Sequence, residues 1–236
     1  MERKYMGITA HCIKSHHQAA FTLIELLITL VIFAVAITAI YTSYLTQQKT
    51  YVAQTEVTAM QQNLRAGMYH LERTLRMAGF DPHNTAKSGF LVASNNEVQL
   101  TSDLNRDGNL VDNGGPSFDK NENAHYLIDD DNDLAYKSGL GNPQPLAENI
   151  QVINFVYLNE DNDVLNPDLG DVPANDLKKI RSVQITMVAR TEKPDPEYRN
   201  TNVYRNQQGE VILAAQNDHF RRRALTTTIR CRNMGL

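Results

Sequence analysis

The stretch FTLIELLITLVIFAVAITAIYTSYL, Phe21 to Leu45, decides how the chain is organised, because Glu25 is its one charged side chain. About 20 apolar residues in a helix rising 1.5 Å per residue span a ~30 Å hydrocarbon core, so the run is long enough to cross a membrane. It exceeds the roughly 7 to 15 residues of a secretory signal's apolar core, and no A-x-A cleavage site follows it. The preceding MERKYMGITAHCIKSHHQAA carries Arg3, Lys4 and Lys14 against Glu2 alone. That imbalance favours a cytoplasmic N-terminus and places everything after Leu45 on the other side.

The rest of the chain is correspondingly hydrophilic. The 236 residues include 42% hydrophobic side chains, yet the mean hydropathy is −0.42. All 22 asparagines lie beyond residue 60. With 23 basic and 27 acidic residues the net charge is −4, which excludes a generally basic nucleic-acid binder. Two cysteines provide neither a disulfide scaffold nor a Cys/His zinc cluster.

Glu25 is the informative residue of the apolar run. A carboxylate there is either hydrated at the interface or matched to a partner. AFTLIELL resembles the class III signal of type IV prepilins and type II secretion pseudopilins. The resemblance implies that a prepilin peptidase cuts between Ala20 and Phe21, removes the leader 1–20 and N-methylates Phe21. Glu25 then becomes the fifth residue of a 216-residue mature chain, where its carboxylate pairs with a neighbouring subunit's terminal amine during assembly. In low dielectric such pairing sets register more than it adds stability. The family nearly always has Gly before the cut; Ala20, the next smallest residue, implies slower processing. Met6 is a second candidate start that leaves the cut unchanged.

Beyond Leu45 the helical periodicity continues. Val52, Met60, Leu64, Met68, Leu71, Leu75 and Ala78 form an amphipathic stripe opposite Gln61, Gln62, Arg65, Glu72, Arg73 and Arg76. No proline interrupts residues 21–79, and Gly79 with Pro82 supplies a stop signal. The expectation is one helix of about 85 Å, a membrane or filament-core part over 21–45 and an amphipathic continuation over 46–80.

Residues 81–236 switch to short alternating segments. Strands are expected at 89–94, 97–101, 124–128, 134–138, 149–159, 182–191, 210–214 and 223–231, with a hairpin turn at Asn95-Asn96 and loops at 103–123, 139–148, 159–177 and 192–209. The expected fold is α+β and pilin-like, with the long helix packed on an antiparallel β-sheet head. This layout, with SVQITMVART and RRRALTTTIRCRN, resembles PilW-type minor pilins. The resemblance implies other major and minor pilins, the inner-membrane assembly platform and the membrane as partners, and initiation or capping of a type IV pilus in a bacterium, as a Gram-negative inner-membrane and then surface protein. The J-class pseudopilin of type II secretion shares the plan and stays open as an alternative.

TSDLNRDGNLVD matches the first half of an EF-hand-like loop, with Asp103, Asn105, Asp107 and Asp112 as candidate calcium ligands and Gly108 at the turn. The closing acid is missing, because Gly114 holds the twelfth position. A plain solvated turn is the competing interpretation. Asp129, Asp130, Asp131 and Asp133, and Glu160, Asp161 and Asp163, are expected to be solvated hairpin turns. Arg221, Arg222, Arg223, Arg230 and Arg232 are expected to be a paired strand surface rather than a DNA patch. Losing the leader removes Cys12 and three of its bases with one acid, for a net charge of −6, and leaves Cys231 as an inward, strand-buried thiol. No HExxH, G-x-S-x-G or Walker loop is present, so no enzyme is expected, although a signal-anchored binding protein or enzyme is the alternative from another class.

Overall fold

The computed structural model describes residues 21–111, 118–119, 121–139 and 141–235. Helix α1 runs unbroken from Leu23 to Met77, as the proline-free periodic stretch requires. It ends where Gly79 adopts a left-handed φ of 76°, and Phe80 N–H closes back onto Met77 O at 3.0 Å. A Cβ at Gly79 would also stand 2.7 Å from Met234 Sδ. Two compact units are distinct, one ending at Thr50 and the other beginning at Tyr51.

In the unit from Tyr51 onward, α1 buries Met60, Leu64, Gly67, Met68, Leu71 and Leu75, and Ala78 just beyond the helix is buried with them. The stripe begins later than the sequence suggests. Val52 is exposed, and Val57 is the first apolar residue packed against the core. Burying each such side chain stabilises by about 1.5–3 kcal/mol, far more than helix propensity supplies.

The strands are antiparallel throughout. β1 (Phe90–Ala93), β2 (Val98–Thr101), β3 (Asn123–Ile128), β4 (Leu134–Ser138) and β5 (Gln144–Ala147) form a five-stranded meander in chain order. β6 (Ile150–Leu158), β7 (Ser182–Arg190) and β10 (Arg222–Arg230) form a second sheet in the order β10-β7-β6. β8 (Tyr204–Arg205) and β9 (Val211–Leu213) make a short ribbon. Among the described residues, the strands of this antiparallel head are distributed over three sheets. Asn149, at φ 60°, turns the chain between β5 and β6, so β6 pairs with β7 instead of extending the meander.

β5 and β8 fall in segments expected to be loops. Pro145 hides β5 from a sequence reading, but β5 is an edge strand, where a missing amide is tolerated. β7 lies in the centre of its sheet and buries both faces over Ile185–Ala189, so Thr186 is buried as well as Val183, Ile185 and Met187.

Candidate functional site

Among the described residues of the N-terminal unit, 21–50, every one is exposed. From Phe21 through Leu45, large apolar side chains stand exposed, with Phe21 at 86% and Leu23 at 78%. The helix is long and apolar enough to cross a membrane by length and composition. The hydroxyls of Thr38, Thr42 and Thr46 donate to the carbonyls of Ala34, Thr38 and Thr42, at 2.8, 2.6 and 3.0 Å. Those hydroxyls are satisfied within the helix, so they add little polarity to the surface it presents.

Glu25 sits in the first turn. Its Oε2 accepts from Thr22 N at 2.9 Å and from Thr22 Oγ1 at 2.8 Å, while Glu25 N donates to Thr22 Oγ1 at 3.3 Å. This reciprocal pair is a capping box. Its signal, Thr22-x-x-Glu25 ahead of an apolar run, is legible in the sequence and adds a local role for Glu25 that the spacing of charges alone does not reveal. Phe21 stands immediately before this box. Ala20, the other side of the expected cut, lies outside the described residues, as do Cys12 and the rest of the leader.

In the head, the Asp103 loop folds through its own backbone. Asp103 is fully buried, and its two oxygens accept from Arg106 N at 2.7 Å and Gly108 N at 3.1 Å. Asn105 Oδ1 accepts from Asp107 N at 2.8 Å, and Asp107 Oδ1 from Asn109 N at 2.8 Å. Gly108 takes the expected positive φ, 79°. Asp112 and Gly114 lie outside the described residues. Glu122, which sequence spacing did not single out, joins the loop: its Oε1 accepts from Asn105 N at 2.9 Å. Burial, with Asp103 and Asp107 adding to it, pushes its carboxyl above the usual range. Among the described residues, no three His, Cys, Asp or Glu side chains form a ready-made metal cage.

The other acidic clusters are turns. Asp129 Oδ1 accepts from Asp131 N and Asp133 N between β3 and β4, and Asn159 Oδ1 accepts from Asp163 N after β6. Two of the C-terminal arginines find acids within the head. Arg222 is buried and grips Asp218 with both terminal nitrogens at 2.6 Å, while its Nε donates to Gln151 Oε1. Arg221 pairs with Asp195 at 2.8 Å and lies over the Tyr198 ring. Asp195 and Asp218 are both held below the usual carboxylate range, chiefly by these hydrogen bonds from arginine. Cys231 is buried just past β10.

Comparison with known families follows this division of the chain. Residues 15–41 match the prokaryotic N-terminal methylation motif, and residues 119–233 match the type IV pilus-assembly protein W family. The chain is type IV pilin-like. Among solved structures, the chain is similar to a type IV-like pilin from Thermus thermophilus. The two are 16% identical, with 74% of this chain and 97% of that one covered and a TM-score of 0.47. No curated protein matches it. The methylation-motif match brackets Phe21 and Glu25, and the apolar helix it includes fits a membrane-anchored pilin.

Proposed function

We propose that this pilin is a minor subunit that co-assembles with other pilins to initiate or cap a type IV pilus. Prepilin peptidase first cleaves between Ala20 and Phe21 and methylates the new Phe21 amine. The protein then waits in the inner membrane with its head in the periplasm, and is drawn by the assembly platform into a filament through side-by-side helix packing. It acts by packing and carries out no chemistry.

The observation that carries this function is the wholly exposed apolar segment of α1 from Phe21 to Leu45, headed by one carboxylate. An uncovered apolar surface of that size needs lipid or neighbouring helices around it, and both are provided in turn by membrane and filament. Among the described residues, Glu25 accepts hydrogen bonds from Thr22 alone and through Oε2 alone, so its carboxylate retains lone pairs for the amine of an adjacent subunit.

Mass spectrometry of the mature N-terminus tests processing: an N-methylated Phe21 is expected, and an intact leader in cells that make pili defeats the proposal. Glu25→Ala is expected to be cleaved normally but lost from sheared pili. Loss of secreted proteins with intact pili on deletion would instead assign the chain to a type II secretion system.

A further inference from the structure

The Asp103 loop lacks the acid that closes a calcium loop from its own sequence, and the fold provides one from elsewhere. The β2–β3 pairing continues past Thr101↔Asn123, with Ser102 N donating to Glu122 O at 3.0 Å. That register sets Glu122 beside Asp103 and Asn105. Glu122 is 1% exposed; one carboxylate oxygen meets Asn105 N, and the other, Oε2, is buried with no hydrogen-bond partner. A buried carboxylate oxygen left without a donor is costly, and native structures rarely keep one without a reason.

The surroundings of Glu122 point to a cation. Asn105 donates through Nδ2 to Asp107 Oδ2 and to Asp119 Oδ2, both at 3.1 Å, so the electropositive end of one amide holds two carboxylates together. Asp103 and Asp119 are buried, and among the described residues no lysine or arginine forms an ion pair with Asp103, Asp107 or Glu122. Both oxygens of Asp103 already accept backbone N–H bonds but keep further lone pairs.

We propose that Asp103, Asn105, Asp107, Asp119 and Glu122 form a calcium site in which Glu122, brought in by the β2–β3 register, is the closing acid that the sequence lacks at position 114. The ion takes the place of the two N–H donors of Asn105 between the carboxylates, the amide turning so that Oδ1 replaces Nδ2 as the group facing them, and gives Glu122 Oε2 its partner. Calcium suits this oxygen-only set, because it accepts six to eight ligands in flexible geometry, whereas magnesium demands a near-ideal octahedron. The cage closes around the ion rather than standing preformed.

The test is calcium titration of the chelator-stripped full-length protein in detergent micelles, read as thermal unfolding. Calcium at a hundredfold excess over Kd is expected to raise Tm by roughly 5–10 °C, with magnesium giving a smaller rise. Glu122→Gln keeps the side chain's shape and is expected to weaken the calcium response at least about tenfold. Asp161→Asn, in a different acidic turn, is expected to leave it unchanged. A wild-type protein indifferent to calcium, or Glu122→Gln responding as the wild type does, overturns the site. Should Glu122→Gln fail to fold, the exposed Asp107→Asn decides: an undiminished response overturns the site, and a weakened one upholds it.

Discussion

Gly67 of α1 faces Leu134 of β4 so closely that a Cβ on the glycine would stand 3.0 Å from Leu134 Cδ2, and 3.1 Å from Ala147 Cβ on β5. A glycine inside a helix forfeits about 1 kcal/mol of helix propensity relative to alanine. Here it permits the helix to settle onto the meander, with Leu71 and Leu75 fully buried one and two turns on. Gly67→Ala is therefore expected to destabilise the head by about 1–2 kcal/mol despite the better propensity, and Gly67→Leu by more than about 3 kcal/mol. Thermal unfolding of the full chain in detergent measures both; a stabilised Gly67→Ala would show that the contact yields easily.

A second tie between helix and sheet passes through polar groups. Tyr126 Oη donates to Thr74 Oγ1 at 2.7 Å and lies 2.7 Å from His70 Nδ1, so a neutral His70 protonated at Nδ1 completes the chain. Tyr126→Phe leaves two half-buried partners unmatched and is expected to cost about 1–2 kcal/mol.

Burial, reinforced by Arg73, holds His70 below its ordinary 6.5. The unfolded state then binds more protons than the folded state between the two values. This contribution is present above 6.5 and is lost as pH falls through that window. A Tm that declines from pH 7.5 to 5.5 in the wild type, and less in His70→Asn, is expected from pH-dependent melting.

The grip of Arg222 on Asp218 closes the far end of β10. Removing the buried guanidinium leaves Asp218 and Gln151 without their donor, and Arg222→Ala is expected to cost about 2–3 kcal/mol, discounted because Asp218 is one-third exposed. Arg222→Lys should recover little, since a single ammonium cannot reproduce the two-nitrogen contact. The folded Asp218 carboxyl lies below its ordinary 3.8, so this stabilisation is complete above that value and disappears as pH falls through the folded one. Acid unfolding curves of wild type and Arg222→Ala should converge at low pH.

Cys231 is 2% exposed, and burial pushes its thiol up to about 12. Only thiolate reacts readily, so a soluble thiol reagent at pH 8 is expected to modify the native protein far more slowly than the denatured one. Rapid native labelling, read by mass spectrometry, would place the thiol on the surface.

Thr22 allows the two roles of Glu25 to be separated. Thr22→Ala removes the capping box, worth about 0.5–2 kcal/mol of local helix stability, but keeps the carboxylate. If assembly depends on the charge of Glu25, this variant enters pili where Glu25→Ala does not. Equal loss of both from sheared filaments would assign the defect to capping.

Local pattern alone determined the long helix of this protein. A proline-free apolar run, one carboxylate at its head and a stripe of spacing three and four define a helix wherever the chain is placed, and Gly79 marks its end because few other residues accept that φ. β6, β7 and β10 were legible for the same reason, since nine-residue segments carrying four β-branched residues each have few alternatives. The tertiary structure decided what depends on contacts distant in sequence: β5 at an edge that tolerates Pro145, the separation of the meander from the β6 sheet at Asn149, and Asp195 and Gln151 as partners of Arg221 and Arg222. It also decided the Asp103 loop. Glu122 reaches Asn105 across 17 residues because β2 and β3 pair in one register, and a shift of one residue would point its carboxylate to the opposite face.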